Sequence, residues 1–128
     1  MVKWVDYKSE AKARGALALE LFVVRTDPAG APQDVKANLP DHLAYQRKLE
    51  ESGQLVMAGP VSDASGEEMQ GAGMILYRAE SLESARALAE ADPMHISGAR
   101  AFTITKWLVN EGSLGLNVGL STGKVVLS

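Results

Sequence analysis

Apolar residues fill nearly every position of a first run, Leu17, Leu19, Leu21, Phe22, Val23 and Val24. Over so short a length this predicts a strand at 17–25 buried on both faces, ended by the breaker run Thr26-Asp27-Pro28-Ala29-Gly30. Residues 31–37 read as an irregular connection. Asn38-Leu39-Pro40-Asp41 then reads as a helix start, with Asn38 as cap, Pro40 in the first turn and Asp41 at the positive end of the dipole. This helix runs to Ser52, where Gly53 can take the left-handed stop. QLVMA (54–58) is a second strand closed by Gly59-Pro60, 61–70 a polar loop, and AGMILYR (72–78) a third strand. Ser81 caps a helix over 82–91 that Pro93 stops; 94–98 is a connector, and AFTITKWL (101–108) alternates as a fourth strand.

The order β-α-β-β-α-β is the ferredoxin-like α+β sandwich, with both helices on one face of an antiparallel sheet. The other face needs a cover, and a second copy of the chain supplies one, so a homodimer or higher homo-oligomer is expected. Residues 1–16 read as an arm or short helix, 17–110 as the domain, and 111–128 as a tail whose apolar runs flank Ser121-Thr122-Gly123-Lys124 as a hairpin would.

Composition changes this picture little. The chain has 128 residues, 46% hydrophobic and 23% charged, which suits one core and not disorder. A formal charge of −3 gives no basic footprint, so neither nucleic acid nor an anionic membrane surface is an expected partner. No apolar run is long enough to cross a bilayer. Cysteine is absent, which removes disulfides and thiolate chemistry and suits a cytoplasmic location.

Candidate chemistry sits on the helices. At about 100° per residue, Leu39, Leu43 and Leu49 define an inner stripe that also holds His42 and Gln46. Tyr45 lies at its edge, Arg47 on its flank, and Asp41, Lys48 and Glu51 opposite. An inward imidazole is either a core histidine satisfied by one hydrogen bond or a general acid or base. On the second helix the inner stripe Leu82, Ala85, Leu88, Ala89 continues to Asp92, which Pro93 forces out of helical geometry. Asp92 either caps the following turn or pairs with His42 on the adjacent helix. His95 lies close enough in sequence to join that site. With His42 and Asp92 it makes up the residue types of a two-His, one-carboxylate metal set, but no third histidine is present and nothing fixes the geometry, so no metal is expected. Gly59, Pro60 and the loop with Ser62, Asp63, Ser65 and Gly66 border a pocket or form a solvated connection.

No GxGxxG follows the first strand and no GxSxG is present, so no dinucleotide cofactor or hydrolase serine is expected. Gly119 to Lys124 is one residue short of a phosphate loop and has Val125 where Ser or Thr belongs.

Asp41-His42-Leu43, then Leu49, Gly53 and Leu55, Ala58-Gly59-Pro60, the glycines Gly71 and Gly73, and Ala89-Glu90-Ala91-Asp92-Pro93 before a strand ending in Trp107 resemble the YciI-like family. The likeness spans roughly 19–108. It implies a dimeric α/β barrel of ferredoxin-like protomers, akin to muconolactone isomerases, with His42 and Asp92 as a catalytic pair and dehydrochlorination of a chlorinated hydroquinone as a relative's activity. Two departures stand out: the terminal extensions, and Met94 where Phe or Tyr is common.

The resulting expectation is a cofactor-independent lyase or isomerase acting on a small molecule. His42 shuttles a proton, Asp92 orients it, and Tyr45, Arg47, Gly59, Pro60, Pro93 and His95 contact the ligand. The alternatives are a non-catalytic ligand-binding or assembly module and a protein–protein adaptor using the tail.

Overall fold

Period-two runs put the strands close to where the sequence predicts them, but Thr26-Asp27-Pro28 and Gly59-Pro60, expected as breakers, are the last residues of the first and second strands and do not stop them earlier. In a computed structural model, which describes all residues 1–128, the elements are α1 (Trp4–Ala13), β1 (Leu19–Pro28), α2 (Pro32–Glu51), β2 (Leu55–Pro60), β3 (Gly73–Tyr77), α3 (Leu82–Glu90), α4 (Pro93–Ile96), β4 (Arg100–Val109), β5 (Leu116–Val118) and β6 (Val125–Leu127). They fall into two units, Glu20–Trp107 and Met1–Leu19 with Leu108–Ser128.

The larger unit is a ferredoxin-like α+β sandwich with sheet order β2-β3-β1-β4. β3 pairs antiparallel with both β1 and β2. Register decides which side chains meet. Phe22 faces Tyr77, Val24 faces Ile75 and Thr26 faces Gly73, so these three pairs share one face. That face carries the core: Phe22, Val24, Ile75, Tyr77 and Ile104 pack against Leu49 of α2 and Ala85 and Ala89 of α3. Small alanines let α3 approach closely, and Ser81 caps it by accepting from Ser84 N.

Three expectations need correction. α2 begins at Pro32, not Asn38. The signature at 38–41 has an earlier copy, Ala31-Pro32-Gln33-Asp34, with proline at the first turn and the Asp34 carboxylate accepting from Ala31 N. Asn38 is interior, its side chain donating to Asp34 O, and Pro40 lies inside the helix. Pro40 is exposed, so water can reach the Lys36 carbonyl that it leaves without a donor. The connector at 94–98 contains a helical turn, α4. Finally, only Leu49 of the apolar stripe is buried; Leu39 and Leu43 are 43% and 53% exposed. The first half of α2 faces a cavity at the sheet end that carries Thr26, Gly73 and Pro60. The second face of the sheet leaves Met57, Met74 and Trp107 exposed.

In the smaller unit α1 ends in a Schellman stop. Ala16 N donates to Ala11 O and Gly15 N to Lys12 O, with Gly15 at φ +88°. β5 and β6 form the expected hairpin, Leu116 opposite Leu127. The stretch resembling a phosphate loop is its turn, closed by Gly119 N donating to Lys124 O.

Candidate functional site

Asp92 ends the α3 segment because Pro93 cannot continue it, and the bend turns its side chain inward, where it is completely buried. A buried carboxylate must be compensated. One oxygen accepts from Met94 N at 2.9 Å, which caps α4, and both oxygens lie 2.8 Å from His42 Nδ1. The two readings of Asp92, cap and histidine partner, hold together. A carboxylate only accepts, so the imidazole carries its hydrogen on Nδ1 and donates it. Nε2, the basic nitrogen, is left to the partly exposed edge of the ring.

His42 lines a cavity of about 400 Å³. Val35, Leu39 and Leu43 of α2 form one wall, with Ile75 and Met94 beneath. Gly59, Pro60 and Gly73 border the sheet side, and Thr26 and Arg100 form a polar end. Apolar walls with few convergent polar groups are the usual make-up of a small-molecule site.

A second polar chain runs beside the first. His95 Nδ1 lies 2.7 Å from Ala89 O, which can only accept, so Nδ1 holds the hydrogen and Nε2 is an acceptor. The Thr26 hydroxyl, 2.9 Å from that Nε2, therefore donates to it and receives Arg100 Nε at 3.0 Å. Arg100 Nη2 also donates to Thr26 O at 2.8 Å and to Gly71 O. Phe102 stacks against the His95 ring at 4.6 Å. Burial pushes Arg100 below its ordinary pKa, against the pull of Asp27 and Asp92. The tyrosines Tyr77 and Tyr45 are pushed up, first by burial and then by the Asp92 charge.

Of the expected ligand contacts, Gly59 and Pro60 line the cavity with His42. Pro93, the first residue of α4, is outside the lining, and His95 reaches the cavity only through Thr26. Tyr45 lies outside; its hydroxyl donates to Leu88 O at 2.7 Å and ties α2 to α3. Arg47 is exposed and outside the lining. The loop at 61–70 folds on Asp63, whose carboxylate accepts from Ser65 and Gly66 and is held below its usual range first by the Ser65 hydroxyl.

Thr26, Gly73 and Arg100 line the cavity without belonging to any sequence motif of their own. Their signal is a period-two one: Thr26 continues Phe22 and Val24, and Arg100 precedes Phe102 and Ile104, so both polar groups point to the helix-covered face.

Residues 18–108 match the model of the YCII-related domain. An uncharacterized protein of Bacillus subtilis (strain 168), YjpA, is 36% identical over 70 residues, 55% of this chain and 75% of its own length. Among solved structures, 5-chloro-2-hydroxyhydroquinone dehydrochlorinase (TftG) from Burkholderia phenoliruptrix AC1100, in complex with 2,5-dihydroxybenzoquinone, is similar at a TM-score of 0.54. It is 26% identical, with 70% of this chain and 93% of that one covered. No helix is long and apolar enough to cross a membrane.

Proposed function

The chain belongs to the YCII-related family, and on that premise we propose that it is a cofactor-independent enzyme moving a proton on a small hydroxylated ring, with His42 as base and Asp92 as its positioning partner. One observation carries the reading: Asp92, fully buried, holds His42 Nδ1 at 2.8 Å and so leaves the basic Nε2 to an apolar-walled cavity. An imidazole fixed in one tautomer beside an apolar-walled cavity is suited to general acid–base work.

The reaction of the similar dehydrochlorinase gives the model chemistry. A hydroxyl proton, taken by Nε2, is returned to the chlorine-bearing ring carbon, which yields a keto tautomer. Loss of a second hydroxyl proton then forms a new carbonyl. The intervening C=C pair shifts toward the C–Cl carbon, and the C–Cl pair departs as chloride. The net change is loss of HCl, and no oxidant is needed.

Asp92→Asn tests this with little change of shape. The amide oxygen can still accept from Met94 N, while the NH₂ would donate to Nδ1 and force the hydrogen onto Nε2. Chloride release from a chlorinated hydroxyhydroquinone should fall about 10²–10⁴-fold. The same loss is expected for His42→Gln, which keeps a donor toward Asp92 but no base. Full turnover in either variant would sink the reading. Self-association through the exposed sheet face belongs to the same proposal, and a monomer mass by analytical ultracentrifugation would remove that part.

A further inference from the structure

We infer that Arg100 is the seat of an anionic oxygen of the ligand, so that the cavity selects acidic, ionised ring compounds over their neutral counterparts. This rests on reading the cavity as a ligand site. It adds a charge requirement that the His42–Asp92 pair does not imply.

Charge balance leads to it. The guanidinium is partly buried at the cavity wall, and all its hydrogen bonds go to neutral acceptors: the Thr26 hydroxyl, Thr26 O and Gly71 O. No carboxylate pairs with it. The two acids whose charge reaches it are Asp27 and Asp92. Asp27 is bound by Arg25 at 3.2 Å and Asp92 by His42 at 2.8 Å. A cation drawn partly out of water without a counter-ion carries a cost that an anionic ligand would relieve.

Geometry adds direction. Nε and Nη2 are committed to the protein, which fixes the plane of the guanidinium, and no hydrogen bond within the chain claims Nη1 of this cavity-lining residue. The hold is itself fixed: Ala89 O sets the His95 tautomer, His95 takes the Thr26 hydrogen, and a Thr26 lone pair therefore faces Arg100 Nε. Gly71 supplies the remaining acceptor from φ +89°. A mere tie between β1 and β4 needs hydrogen-bond donors but no unpaired charge on a cavity wall. A guanidinium held in one plane by its neighbours, with one nitrogen unclaimed, is a preordered donor of the kind that holds an oxyanion well.

The test measures charge selectivity by titration calorimetry at neutral pH. The anionic probe is 2,5-dihydroxybenzoquinone, a vinylogous acid ionised there; the neutral probe is its dimethyl ether. The native chain should bind the anion saturably and more tightly than the ether. Arg100→Gln should weaken the anion about ten- to a hundredfold and leave the ether within about twofold. Arg100→Lys should recover part of the anion's affinity. Equal anion binding by the native and Gln chains would overturn the inference. So would an equal loss for both probes, the mark of a structural tie alone, or no anion binding at about millimolar concentration. His42→Gln separates the two proposals: it should keep the anion's affinity within about threefold while cutting chloride release about 10²–10⁴-fold. Chloride release that survives there, with charge selectivity intact, sinks the base and spares the Arg100 seat.

Discussion

The two ends of the helix-covered sheet face use the same three strands differently. At one end Phe22 sits opposite Tyr77 beside Ile104, under Leu49, Ala85 and Ala89, and the space is filled. At the other, Thr26 sits opposite Gly73 with Arg100 alongside, under Leu39 and Leu43 that stay exposed, and the space is a cavity. The pair Val24 and Ile75 divides them. A few residues of strand thus separate a region built for stability from one whose polar groups answer to one another and to an opening. Filling costs the second end its chemistry; emptying costs the first its fold. The substitutions below are chosen to see whether that division holds.

The largest effect belongs to the filled end. Phe22→Ala removes a ring that is 1% exposed. It should cost about 3–5 kcal/mol of unfolding free energy by urea titration. Probe binding per folded molecule should stay unchanged. Should affinity fall with stability, the two ends are one cooperative unit.

At the open end, Gly71→Ala should cost about 1–3 kcal/mol. A Cβ there would lie 2.6 Å from Pro28 Cγ, with φ at +89°. Any shift of the peptide draws its carbonyl from Arg100, so anion binding should weaken as well. Gly66→Ala is the control, with a similar φ of +79° but nothing within 4 Å. It should show the backbone strain alone, about 1 kcal/mol, and normal binding. If both alanines weaken binding alike, the Gly71 carbonyl has no special part in holding Arg100.

The filled end was the more legible of the two in the sequence. Strand periodicity, the Ser81 cap and the Asp92–Pro93 break each act within a few residues, and β1, β3 and α3 lie close to their expected places. The inward turn of His42 and Asp92 could be read from helical spacing, because both follow an apolar stripe. The open end resisted for physical reasons. The helix signature occurs twice before α2, at 31–34 and 38–41, and an exposed proline is tolerated where water serves the orphaned carbonyl. Leu39 and Leu43 obey the stripe yet stay exposed, since a stripe reports which face of a helix is apolar and not whether anything lies beneath it. Tyr45 looked like a ligand contact from its position, but its hydroxyl is taken by Leu88 O, an acceptor far away in sequence. Arg100 becomes visible only once β4 is known to start with it.

Tyr45→Phe probes the border between the ends at a smaller scale. The lost hydroxyl leaves Leu88 O without its donor, and a part-buried hydrogen bond of this kind contributes about 1 kcal/mol. The chain should melt a few degrees lower with chloride release intact, as expected for a residue that ties α2 to α3 and lies outside the cavity lining. A selective loss of turnover would move Tyr45 back into the site.

The smallest effect at neutral pH, and the most particular, concerns Tyr77. Its hydroxyl is buried in the filled end without a hydrogen-bond partner. Removing it in Tyr77→Phe should therefore leave stability within about 1 kcal/mol of the native chain, or raise it. The pH dependence carries more information. Burial, then the charges of Asp92 and Tyr45, push the Tyr77 pKa up, whereas in the unfolded chain a tyrosine titrates near about 10. Below that pH both states hold the proton and stability does not change on this account. Above it the unfolded chain loses the proton and the folded chain retains it, so stability falls as pH rises. Tyr77→Phe should flatten that alkaline fall in thermal melts taken from neutral pH to about 11, leaving the smaller share from Tyr45. An unchanged alkaline slope would mean that the filled end admits water to Tyr77, and the contrast between a sealed end and an open one would then be weaker than the packing suggests.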